Sequence, residues 1–119
     1  LFPYTTLFRS YASVQLSVDD IVALAHQFNG DVIPAHIDRN SYSILSNLGF
    51  ISPDLPISVV EYSPLADINA ILNRQPSVRR LKIVVNSDAH ELTQISEAVN
   101  TLEVADKTID SFFRALFSR

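Results

Sequence analysis

The sequence predicts an α/β fold, a parallel sheet covered by helices, and three observations carry that expectation. Candidate strands at 32–36, 57–62 and 81–85 are apolar on both faces, the pattern of strands buried between two layers. Amphipathic segments alternate with them, as in successive βα units. The strands are short, as in a barrel, and three or four such units in 119 residues make about half of an eight-unit barrel, which takes ~250 residues. A half-barrel leaves bare sheet edges that are costly to expose. The expectation is therefore an incomplete part of a larger domain.

Each element has a local reason. Ser17 precedes Asp19 and Asp20, so it can cap a helix whose first turn is acidic. Val18, Ile21, Val22, Ala25 and Phe28 follow at helical spacing, and Gly30 is placed to end that helix in a left-handed conformation. Val32 to His36 reads as a strand that stops at Asp38-Arg39-Asn40. Ser41 to Asn47 reads as a short helix closed by Gly49, and Pro53 and Pro56 place a loop after it. Ile57 to Tyr62 is the next strand. Pro64 to Asn73 is a helix carrying Leu65, Ile68, Ile71 and Leu72, and Leu81 to Val85 is a near-continuous apolar strand. The tail offers a helix near Leu92 to Val99, a strand at Leu102 to Val104 and a last helix from Thr108 to Phe117.

Composition excludes several classes. A net charge of −4 argues against a nucleic-acid surface, because phosphate backbones are met by clustered Lys and Arg. With no cysteine in the chain, disulfides and thiolate ligands are ruled out. No apolar run approaches the ~20 residues of a membrane span. The default expectation is a globular cytoplasmic protein. Arg79, Arg80 and Lys82 form a small basic cluster that reads as solvated.

Residues 1–10, Leu1-Phe2-Pro3-Tyr4-Thr5-Thr6-Leu7-Phe8-Arg9-Ser10, read as translated sequencing-adapter sequence. They match neither a period of 2 nor one of 3.6, although Tyr, Thr and Phe also suit an edge strand. On the adapter reading the native segment is 11–119, and its upstream part lies elsewhere.

Chemistry gathers where strands end. Asp88 and His90 follow the strand that ends at Val85, and residues two apart in extended chain face the same way. His36 stands at the same end of its own strand. Strand C-termini are where α/β folds bind ligands, and two imidazoles with a carboxylate suit Zn, Mn or Fe. Plainer roles stay open. Asp88-Ala89-His90-Glu91 also has the form of a helix capping box, and His36 can be a hydrogen-bonded structural residue. His26 lies within the first helix and reads as structural. Glu61 is either a group behind the ligands or a partner of the next helix, and Tyr42 and Ser43 face either the site or the core.

The chain resembles a known family at two places. Pro34-Ala35-His36-Ile37-Asp38-Arg39, with Ser41-Tyr42-Ser43-Ile44, Ser46-Asn47-Leu48-Gly49-Phe50-Ile51 and Pro53-Asp54-Leu55, looks like the third metal-ligand region of bacterial PHP (polymerase and histidinol phosphatase) proteins. Val60-Glu61-Tyr62 is similar to their following strand, and Ser87-Asp88-Ala89-His90 to their final Asp-x-His region. The resemblance runs from about Ser17 to the C-terminus, and the motifs in this order are specific together.

The resemblance implies the C-terminal part of a distorted seven-stranded βα barrel, TIM-like, with two or three divalent ions (Zn, Mn or Fe) at its rim. It implies hydrolysis of a small phosphorylated substrate by metal-activated water. His36, Asp88 and His90 would be metal ligands. Arg39 would hold the substrate phosphate, or else pair with Asp38 or Asp54. The family's opening His-x-His pair is missing from this sequence, and Glu91-Leu92-Thr93-Gln94 departs from its aromatic-led segment. The fragment alone is therefore expected to be inactive. A non-catalytic PHP scaffold and a PHP-type nuclease are the competing expectations.

Overall fold

The computed structural model describes residues 14–117. The adapter expectation for residues 1–10 lies outside them. The first helix, α1 (Val18–Gln27), is built from both ends. The Ser17 hydroxyl accepts the Asp20 amide at 3.1 Å while Asp20 Oδ2 accepts the Ser17 amide at 3.0 Å, a reciprocal capping box. At the other end the left-handed residue is Asn29, with φ 58°, one position before the Gly30 that the sequence suggested. The Gly30 amide returns to the Ala25 carbonyl and the Asn29 amide to that of His26, which is a Schellman closure. Asparagine tolerates this conformation, so glycine is not required at the turn itself.

A second helix, α2 (Ile44–Leu48), starts later than expected, because Ser43 takes the cap by accepting the Ser46 amide at 3.1 Å. Gly49, at φ 79°, ends it. The following loop delivers Ile51, Leu55 and Ile57 to the core. Its carbonyls are held from outside: Arg80 donates to those of Ile57, Leu55 and Ser52, and the Ser77 hydroxyl to that of Ile51. Arg79 and Arg80 are exposed, as expected of a solvated cluster, and Arg80 also braces this loop, because a guanidinium with five donors satisfies several carbonyls that turn away from secondary structure.

Strands β1 (Val59–Tyr62) and β2 (Lys82–Val85) pair in parallel, Val59 with Lys82 through Tyr62 with Val85. Helix α3 (Ile68–Arg74) and a 3-10 turn at Pro76–Arg80 form the crossover, as a parallel pair requires. Val59, Val60 and Tyr62 have no exposed surface, so β1 is buried on both faces. Val22, Ile37, Ile71, Val78 and Leu81 complete the core around it. Each fully buried aliphatic side chain of this kind contributes about 1.5–3 kcal/mol relative to exposure.

The expected strand at Val32 to His36 forms only in part. Ser58 and Tyr62 turn their carbonyls to β2, so Glu61 turns its backbone to the other edge of β1. There its amide donates to the Pro34 carbonyl at 3.0 Å and its carbonyl accepts the Ile37 amide at 2.9 Å. A regular parallel ladder would return with residue 36. One extra residue, His36 at φ 30°, bulges out instead, and Pro34 has no amide to extend the ladder.

The tail also departs from the expected pattern. Among the described residues, 92–99 hold only a 3-10 turn at Leu92–Gln94. Leu92, Ile95 and Val99 stay exposed, and a short amphipathic segment with nothing to pack against does not hold a helix. Residues 102–104 form no strand; the outer edge of β2 is met at the Val85 carbonyl by the Asn100 side chain, at 2.6 Å. Helix α4 (Ile109–Phe117) forms as expected and is tied to β2 by a bond from the Lys82 ammonium to the Ala115 carbonyl. Phe113 stacks on Phe117 with ring centroids 5.9 Å apart. The architecture is α/β around a two-stranded parallel sheet; among the described residues it does not extend to a barrel wall. No described helix is long and apolar enough to cross a membrane.

Candidate functional site

The site lies at the C-terminal end of the two strands and is assembled by two backbone irregularities and one strand residue. The bulge at His36 places that ring beside β1. Glu61, the third residue of β1, is the only one of its four not fully buried. Asp88 leaves β2 through a left-handed residue at φ 52°. Non-glycine residues in this region cost of order 1–3 kcal/mol and persist only where the surroundings hold them. Two of the three residues expected to be ligands thus sit on such backbone.

Their side chains form a connected network. His36 Nδ1 lies 3.3 Å from Glu61 Oε1 and 4.0 Å from Asp88 Oδ2. Glu61 Oε2 accepts the Asn86 side-chain amide at 3.0 Å. Arg39 Nη1 lies 2.7 Å from Asp88 Oδ2. His36, Glu61 and Asp88 are each about four-fifths buried at the side chain, and Arg39 is about half exposed. A carboxylate oxygen only accepts, so Glu61 favours the His36 tautomer with the proton on Nδ1 and leaves Nε2 free.

His90 is placed differently. Its Nδ1 lies 2.8 Å from the Asp88 carbonyl oxygen, and its amide donates to Gln94 Oε1 at 2.8 Å. The carbonyl again fixes the proton on Nδ1, and the residue is exposed. The capping-box alternative for Asp88 to Glu91 does not hold, because no α-helix follows and the 3-10 turn at Leu92 has no side-chain cap. His26 pairs with Asp31 at 3.8 Å on α1.

One expectation from the sequence fails, and one residue joins the site. Arg39 pairs with neither Asp38 nor Asp54. Asp38 Oδ1 instead accepts the Ser63 amide at 2.8 Å, tying the loop after the bulge to the end of β1. Asn86 was not singled out from the sequence. Its signal was its position, first after a strand at the ligand-binding end of the sheet.

Glu61 behind His36, and the Asp88 carbonyl behind His90, are the partners that orient ligating imidazoles in metal centres. Yet no group of three or more such side chains among the described residues is disposed to hold an ion, and Arg39 places a cation against Asp88. In this arrangement the residues do not close a metal site. What they make is a polar rim with two available imidazole nitrogens and one guanidinium suited to an oxyanion.

Comparison with known proteins adds one finding: residues 77–119 match a family model described as PHP-associated. The matched stretch contains β2, Asp88 and His90, and begins after His36, Arg39 and Glu61. No curated protein and no solved structure matches the chain.

Proposed function

We propose that this chain is the C-terminal part of a metal-dependent phosphoesterase of the PHP type, a barrel portion in which His36, Asp88 and His90 contribute to a divalent-metal centre. One observation supports this above the others. His36 lies outside the PHP-associated stretch and Asp88 within it, yet the two side chains meet at 4.0 Å. Motifs separated by fifty-odd residues of chain and two crossovers have one rim in common, as a shared chemical task requires.

In this reading the remaining ligands come from other segments of the intact protein, because three donors cannot satisfy two or three ions. Bound ions would supply an activated water and polarise the phosphoryl oxygen. The chain's own part is to orient the two rings through Glu61 and the Asp88 carbonyl, and to offer Arg39 to the substrate phosphate. Small phosphate esters are the proposed substrates, and a cytoplasmic location is part of the same proposal.

The Arg39–Asp88 ion pair favours a second reading, a PHP module kept as a scaffold, in which Arg39 replaces a metal as the counter-charge of Asp88. The two part company in one experiment. The intact protein is assayed for hydrolysis of a generic phosphomonoester with Mn or Zn added, alongside Asp88→Ala. Metal-dependent turnover that falls about a hundredfold in the variant supports catalysis; losing a mere orienting partner costs ~10–100-fold. Turnover absent from the wild type, or unchanged in the variant, supports the scaffold.

A further inference from the structure

The geometry points to a second anion subsite beside the proposed phosphoesterase site, a cleft between the 37–40 loop, α2 and α3 in which Arg74 and Arg39 receive a phosphate or carboxylate on the substrate's leaving group. The inference rests on the phosphoesterase reading for the word substrate, and on the cleft itself for the word anion.

The cleft has a volume of about 380 Å³, at the small end of ligand pockets. Arg39 belongs to both places, lining the cleft while its Nη1 holds Asp88. Arg74 stands on the opposite wall at the end of α3. Its Nε bonds back to the Ala70 carbonyl at 3.3 Å, and its terminal nitrogens meet no carboxylate among the described residues. Asp38, the one acidic residue lining the cleft among the described residues, already accepts the Ser63 amide. Arg39 has its counter-charge in Asp88, which leaves Arg74 as the guanidinium of the cleft without a carboxylate partner among the described residues, in a chain whose net charge is −4.

The remaining polar groups fit the same ligand. Gln75 spends its amide on the Gly49 carbonyl at 2.8 Å, which fixes the wall. Asn40 lines the mouth with no side-chain bond among the described residues and is free to donate. Three donor groups of this kind match the oxygens of a phosphate or carboxylate. A neutral leaving group would leave Arg74 without a counter-charge, so an ester carrying a second anionic group suits the cleft better.

The test is a titration of the chain with inorganic phosphate, read at the Nε–H resonances of Arg39 and Arg74 and the Asn40 side-chain amide. Acetate in a parallel titration separates phosphate from carboxylate preference. Saturable shifts at Arg74 and Asn40 are expected, with affinity falling about tenfold in Arg74→Gln and unchanged in His26→Gln. Arg74→Lys, which keeps the charge and loses the fork, should recover part of it. Unperturbed Arg74 and Asn40 resonances, or affinity unchanged in Arg74→Gln, overturn the subsite. Hydrolysis by the intact protein tests the phosphoesterase reading separately, so either idea can fall while the other stands.

Discussion

Arg39 Nη1 and Asp88 Oδ2, 2.7 Å apart, tie the loop after the His36 bulge to the loop after β2 across the end of the sheet. The pair joins segments that no backbone bond connects, and it decides which face Asp88 can offer. Arg39 is nearly half exposed at the side chain, so solvent screens the attraction. Arg39→Gln should therefore cost less than about 1 kcal/mol in urea unfolding, the range of exposed pairs. A loss of several kcal/mol would mean that the pair is a structural keystone, and would count for the scaffold reading.

Catalysis makes a sharper demand on the histidines. In the intact protein, His36→Ala should lower phosphomonoester turnover about a hundredfold or more, and Glu61→Gln by ~10–100-fold through the loss of its hold on the ring. His26→Ala should leave turnover nearly unchanged, since His26 sits on α1 beside Asp31. Equal effects at His36 and His26 would sink the assignment, whichever direction they took.

These contrasts depend on what the sequence made legible. The N-terminal end of α1 could be anticipated, because capping chemistry is local: Ser17 and Asp20 find each other within one turn. Both-faces-apolar runs located β1 and β2 for a similar reason. The His36 bulge could not be anticipated. It arises from the register between residues 34–37 and Glu61, which no neighbour in sequence specifies. The same holds for the Arg39–Asp88 pair, whose partners are brought together only by the crossover. The helix expected at 92–99 failed for the complementary reason: its apolar spacing is genuine, but Leu92, Ile95 and Val99 find no surface to bury against. Local chemistry was readable, and contacts set by tertiary register were not.

Tyr62 supplies a prediction about pH. Its side chain is buried and its hydroxyl has no hydrogen-bond partner. Burial, with the Asp38 charge adding to it, raises the phenol above its ordinary value of 10.0. The folded state then holds the phenolic proton more tightly than the unfolded chain does. The associated stability is whole below pH 10 and is lost as pH rises from there through the folded value. Tyr62→Phe removes a group that gains nothing from its hydroxyl, so stability at pH 7 should change by no more than about 0.5 kcal/mol, or rise. Stability of the variant should also fall less steeply above pH 10. Parallel denaturant titrations at pH 7 and above pH 10 check both points, and a steeper alkaline loss in Tyr62→Phe would refute the account.

Ser43 joins the fold to the site most directly. It is almost fully buried, and its hydroxyl works in two directions. It accepts the Ser46 amide at 3.1 Å to cap α2, and it donates to the Arg39 carbonyl at 2.8 Å. Ser43→Ala removes the cap and leaves that carbonyl without its partner. Together these should cost about 1–2 kcal/mol, the range for a lost N-cap with a stranded polar group. The denaturation midpoint measures that part. The second consequence is local: with its carbonyl released, Arg39 should hold Asp88 less firmly. Amide exchange should then quicken across residues 37–43 more than in α4, which makes no contact with Ser43 through these bonds. Ser43→Thr keeps the hydroxyl and should restore slow exchange at Arg39. A uniform acceleration across the chain, or no rescue by threonine, would show that Ser43 serves packing alone and that α2 does not position Arg39 through it.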